Sequence, residues 1–131
     1  MRLITVFVLV LANFAIAAED EPVIKLAKSK VKDPAKPFTL VVTAKIKDGA
    51  MSKLETAYSP CAKATRKEPG CLQYDLHTDA DKPETVVLIE RWKSVAALEA
   101  HLKQAHTQAF LKTMPDWSTE KPDLKILLPV E

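Results

Sequence analysis

Between Phe38 and Ile46 apolar and polar side chains alternate, with Phe38, Leu40, Val42, Ala44 and Ile46 on one side and Thr39, Val41, Thr43 and Lys45 on the other. A period of two residues predicts a strand with one buried face. Asp48-Gly49 marks a turn, after which Met51, Leu54, Tyr58, Cys61 and Thr65 recur at helical spacing as far as Glu68. Pro60 inside that run predicts a kink or a split. Pro69-Gly70 predicts its end, because proline disfavours helix in the residue before it and glycine accepts positive φ. Alternation returns over Cys71 to Thr78, with Leu72, Tyr74 and Leu76 facing one way and Gln73, Asp75 and His77 the other. A turn-rich stretch, Asp79 to Glu84, leads into a hairpin partner over Thr85 to Lys93, dense in Val, Leu and Ile. Ser94 suits the N-cap of a helix running through Leu98, Leu102 and His106. A further turn or two carries Phe110, Met114 and Trp117, Pro115 and Pro122 break the pattern, and Leu124 to Val130 reads as a last strand.

Strand, helix, strand, strand, helix, strand is the ferredoxin-like βαββαβ order, an α+β fold with both helices on one face of an antiparallel sheet. The other face then presents Val41, Val87 and Ile89, an apolar patch that monomers rarely leave wet. A second copy of the chain is its simplest cover, so a homodimer is expected.

The ends of the chain change this picture. Residues 1–17 read as a cleaved secretory signal: Arg2 is the positive start, Leu3 to Leu11 is almost wholly apolar, and Ala15-Ile16-Ala17 has the small-x-small form of a cleavage site. The expected protein is exported, periplasmic or secreted, with no stable membrane insertion after cleavage, because the apolar run is short for about 30 Å of hydrocarbon. Residues 18–37, rich in Lys and Pro, read as a linker or loosely attached arm, and residues 38–131 as the domain. Of 19 basic residues, removal of Arg2 leaves 18 against 17 acids. That balance supplies no basic face for nucleic acid. Cys61 and Cys71 lie near or beyond the reach of a disulfide if the intervening helix is regular, which favours two small buried thiols over a bridge.

Three segments carry more polar and aromatic chemistry than a scaffold requires: Glu68-Pro69-Gly70-Cys71-Leu72-Gln73-Tyr74, then Glu90-Arg91-Trp92-Lys93-Ser94, then Ala97-Leu98-Glu99-Ala100-His101-Leu102. In their order and spacing they resemble the antibiotic biosynthesis monooxygenase domain family, and most of all its quinol-monooxygenase-like branch. The resemblance covers Phe38 to Val130. It implies sheet-to-sheet dimers forming an α+β barrel, and a pocket between sheet and helices held by the third strand and the helix after it. On this chain that points to Trp92 and Glu90 as substrate-binding residues and to His101 and His106 as candidate bases. Tyr74 stands in the second-strand motif.

Glu90 shares a strand face with Val86, Leu88 and Trp92, so its carboxylate is either a paired structural acid or a pocket base with a raised pKa. An imidazole in an apolar pocket suits proton transfer from a phenol or quinol, because its reference pKa lies near neutrality. His77, on the other strand face, is expected at solvent or an interface. No Gly-rich dinucleotide loop, Cys cluster or carboxylate–histidine metal triad is legible, so no cofactor and no metal are expected. A cofactor-free oxygenase must draw its electrons from the substrate, as a deprotonated quinol or anthrone allows. It then needs a slot, a base and an oxyanion donor: His106 or His101 as base, Trp92 as wall, and Arg91 or Tyr74 as donor. The alternative is a non-catalytic dimeric domain that binds a small hydrophobic ligand or a partner. Haem degradation, which in this family uses an Asn on the first strand, is disfavoured because Val42-Thr43-Ala44-Lys45 has none.

Overall fold

The computed structural model describes residues 21–131, so the leader expected over residues 1–17 lies outside the described residues. Strands β1 (Phe38–Lys45), β2 (Cys71–Thr78), β3 (Thr85–Trp92) and β4 (Asp123–Leu127) form one antiparallel sheet in the order β2-β3-β1-β4. This is the expected α+β, ferredoxin-like arrangement. Helices α1 (Pro22–Lys30), α2 (Met51–Thr65), α3 (Val95–Leu102), α4 (Ala105–Lys112) and the single turn α5 (Met114–Trp117) complete it.

Register assigns the two faces. Leu40 pairs with Glu90 and Glu90 with Tyr74, while Val42, Leu88 and Leu76 form the adjacent row. Phe38, Leu40, Tyr74, Val86, Leu88, Glu90 and Trp92 are buried on this face, with Leu54, Cys61, Leu98 and Phe110 from the helices. The opposite face carries Val41, Val87 and Ile89, as expected, and interleaves them with Thr39, Thr43, Asp75 and Arg91.

Several boundaries depart from the sequence expectation. Of the linker or arm expected over residues 18–37, Pro22–Lys30 form α1, and Ile24 and Ala27 are fully buried, with Val31 beside them. These three positions make one helical stripe, which the surrounding Lys residues disguise. The carbonyl of Pro34 then accepts from Val95 N–H at 2.9 Å, tying the segment to the start of α3. Pro60 neither splits nor ends α2, because it lies on the exposed side where the carbonyl it leaves unpaired meets water. The long helix expected from Ser94 onward is interrupted at Lys103 and Gln104, where Gln104 takes an extended conformation before α4 begins. Strand β4 ends at Leu127, short of Val130, which is wholly exposed. A bulge between Cys71 and Gln73 turns Leu72 out to solvent, away from the face of Tyr74. Cys61 and Cys71 are free thiols.

Gly70 does not use positive φ; Gly49 does, at 72°. Gly70 is needed for space, since a Cβ there would lie 2.3 Å from the Cβ of Ala97. Its carbonyl accepts from Lys93 N–H at 2.9 Å, so the starts of β2 and α3 are pressed together.

If α1 belongs to the core, Ile24→Ala lowers the free energy of unfolding by about 2–4 kcal/mol in urea titrations, whereas exposed Lys25→Ala changes it by less than about 0.5 kcal/mol. Equal stability of the two variants would mean that α1 does not dock in solution.

Candidate functional site

The helix-covered face of the sheet encloses a cavity of about 390 Å³. Its wall is mostly aliphatic and aromatic, and Tyr74, Glu90, His101 and Thr107 supply its inner polar groups. The β3 alternation delivers Glu90 and, beneath it, Trp92, whose indole N–H donates to Glu90 Oε2 at 2.8 Å. His101, in the last turn of α3, stacks at a tilt on Trp92 with ring centroids 4.5 Å apart and meets Tyr74 edge-on at 5.5 Å. Among these groups only Trp92 does not line the cavity, so it is not the substrate-contacting wall expected from the sequence; fully buried, it packs behind His101.

Three elements meet at His101, away from the cavity. The turn after α2 carries Glu68, and α4 begins with His106 and Thr107 in its first turn. Glu68 Oε2 accepts from His101 Nδ1 and from His106 Nε2, each at 2.8 Å. Thr107 Oγ1 lies 3.2 Å from the same His101 nitrogen. A carboxylate oxygen only accepts, so these contacts place the His101 proton on Nδ1 and leave Nε2 with a free lone pair. The break between α3 and α4 is what lets two histidines five residues apart reach one oxygen.

Burial sets the electrostatics. It lowers the pKa of His101, and the Glu68 hydrogen bond offsets this only in part, so the neutral ring is favoured. Burial raises Glu90 to about 7, with the Trp92 hydrogen bond opposing it. The Tyr74 hydroxyl is pushed well above its ordinary value by burial and by nearby Glu90, which keeps it a donor.

Residues 37–113 match the antibiotic biosynthesis monooxygenase family. The chain belongs to that family. The Escherichia coli protein named "Probable quinol monooxygenase YgiN" is 38% identical over 52 residues, 34% of this chain and 50% of that one. An uncharacterized Synechocystis protein, sll1783, is 24% identical over 96 residues, 73% of this chain and 65% of that one. The chain thus spans from half to just under two thirds of these two relatives. The solved structure of Rv0793 from Mycobacterium tuberculosis superposes with a TM-score of 0.68 at 27% identity, covering 73% of this chain and 97% of that one.

The helix-covered face of the sheet brings together most of the sequence candidates. Tyr74, Glu90, Trp92 and His101 converge. His106 does not line the cavity and joins the group through Glu68. Arg91 is corrected: it is exposed on the opposite sheet face, paired with Thr39 and Gln73, because neighbours along a strand point to opposite sides. It cannot serve as an oxyanion donor in this cavity. His77 is exposed on that same far face, as expected. Glu68 and Thr107 were missed. In the sequence Glu68 marks only the end of a helix. The expectation that no carboxylate–histidine triad exists also fails, since ligand atoms of Glu68, His101 and His106 lie within 4.8 Å of one another.

Glu90 is 6% exposed, and its raised folded-state value means the folded protein binds a proton that the unfolded chain releases between pH 4.5 and about 7. Its neutral form carries no penalty below pH 4.5, and stability is lost as pH rises through about 7. Glu90→Gln is expected to unfold at the same denaturant concentration as the parent near pH 4, and to be more stable at pH 8 by about 3 kcal/mol at most. An equal or lower stability of the variant at pH 8 would refute a buried, charge-averse Glu90.

Proposed function

We propose that this protein is a monooxygenase that oxidises a quinol- or anthrone-like aromatic with O₂ and without a bound redox cofactor. The observation that carries the reading is the Glu68–His101 pair, with His101 Nδ1 committed to the carboxylate and its ring lining an apolar cavity. His101 Nε2 takes the acidic proton of the bound aromatic. The resulting anion is electron-rich enough to reduce O₂ directly, forming a carbon–oxygen bond. Loss of water then leaves the oxidised carbonyl product, so one substrate and one O₂ give one oxygenated product and one H₂O. Tyr74 donates to the developing oxyanion, Trp92 holds the imidazole plane, and Glu90 is a second proton acceptor across the cavity. His106 acts on the base only through Glu68.

The family and the relatives' names support oxygenase chemistry; the aromatic class rests on the cavity's apolar wall and on the rings of Tyr74 and Phe110 within it. A homodimer formed through the open sheet face, with Val41, Val87 and Ile89 at its centre, belongs to the same proposal, as does export directed by residues 1–17. The second reading, a non-catalytic dimeric domain that binds a small hydrophobic ligand, draws on the same cavity.

Oxygen uptake by the purified protein, measured with hydroquinones and anthrones and corrected for autoxidation, separates the two. His101→Ala is expected to lower kcat/KM by about 10²-fold or more, the usual worth of a positioned base. His106→Ala is expected to lower it by less than tenfold. Because burial lowers the His101 pKa, the limb of kcat/KM that reports this base should fall only on the acid side of its ordinary value near 6.5, where the ring takes up a proton; Glu90→Gln, which removes the group raised to about 7, should leave that limb in place and the profile flat above it. Unchanged uptake in His101→Ala would remove the base, and no uptake above background with any substrate would leave the ligand-binding reading.

A further inference from the structure

We propose that Glu68, His101 and His106 together form a binding site for one divalent cation of the zinc class. Two imidazole nitrogens and a carboxylate oxygen are the donor set that such ions take, and they leave further coordination positions open. Two of the spacings are close to what such an ion needs. At metal–ligand distances of about 2.0–2.1 Å, donors at right angles stand about 2.9 Å apart and tetrahedral donors about 3.3 Å apart; here each nitrogen lies 2.8 Å from Glu68 Oε2, and the three donor atoms lie within 4.8 Å of one another. Seating the ion draws the two imidazoles together, a movement that falls to the more exposed His106 side chain.

Charge points the same way. The Glu68 side chain is 11% exposed, and among the described residues its ion-pair partners are the two histidines alone, with no Lys or Arg. A largely buried carboxylate with only imidazoles beside it lacks a full countercharge, which a divalent cation supplies. The site also has a door and a back wall. The His106 side chain is 23% exposed, against 3% for His101, and Trp92 packs on His101 from the sheet side. Entry is therefore from the α4 side, away from the cavity.

The ion would sit on His101 Nδ1, while the cavity uses Nε2. Binding displaces the proton from Nδ1, and a neutral ring then carries it on Nε2. Occupancy would thus silence the proposed base. That consequence rests on the catalytic reading above; the metal site does not.

The test uses untagged, chelator-treated full-length mature protein titrated with Zn²⁺ by calorimetry and with Co²⁺ by visible absorption. One cation per chain is expected. Glu68→Gln and His106→Ala should each weaken binding by at least about tenfold, with melting curves confirming that both are folded. His77→Ala and Cys71→Ser, which alter the remaining histidine and the half-buried thiol, should leave it unchanged. Equal affinity in Glu68→Gln or His106→Ala, a Co²⁺ spectrum with sulfur-to-metal charge transfer that disappears in Cys71→Ser, or no binding at millimolar cation would overturn the site. Oxygen uptake with and without Zn²⁺ is read separately: tight binding through Glu68 and His106 with undiminished uptake would keep the metal site and remove His101 as base.

Discussion

The close approach of Gly70 to Ala97 is the constraint on which the site depends. With a Cβ at residue 70 the two side chains would be 2.3 Å apart, so α3 could not lie against the start of β2. Lying there, it brings His101 over the turn that holds Glu68, although 33 residues separate them. The Lys93–Gly70 backbone bond and the Ser94 cap, whose Oγ accepts from Ala97 N–H at 3.1 Å, hold the helix start in that position. The chemistry is thus set by backbone packing before any polar group is considered.

Within that frame burial separates the roles of like groups. Glu68 and Glu90 are both carboxylates beside aromatic rings, yet Glu68 receives two imidazole donors at the protein's edge and Glu90 a single indole inside. Desolvation moves His101 down from its ordinary value and carries Glu90 up past it to about 7, so near neutral pH the imidazole is the neutral base and Glu90 is the group that holds or releases a proton. Environments that displace titratable groups in opposite directions are a recurring basis for acid–base work.

How much of this could be read from the chain follows from which interactions are local. The strands and their buried faces were legible because a two-residue period is a property of adjacent residues, and it placed Tyr74, Glu90 and Trp92 on one side. The same period excludes Arg91, whose chemical promise had outweighed its position. Helix α1 was not legible, because Ile24, Ala27 and Val31 are few and sit among Lys25, Lys28, Lys30 and Lys32. The break after Leu102 carries no Gly or Pro to announce it. Glu68 was present in the motif, but its partners come from two helices that only tertiary packing brings to it. Local pattern gave the rows of the site, and long-range packing gave its pairs.

The interruption at Lys103 and Gln104 lets the two histidines be aimed separately. In one unbroken α-helix, at about 100° per residue, two histidines five positions apart would point about 140° away from each other. The extended Gln104 removes that separation: α3 sets the direction of His101 and α4, seated by its own buried Thr107 and Phe110, sets that of His106. The two imidazoles are therefore carried by separate bodies that meet only at one carboxylate oxygen, and replacing His106 leaves the His101–Glu68 bond with its own supports.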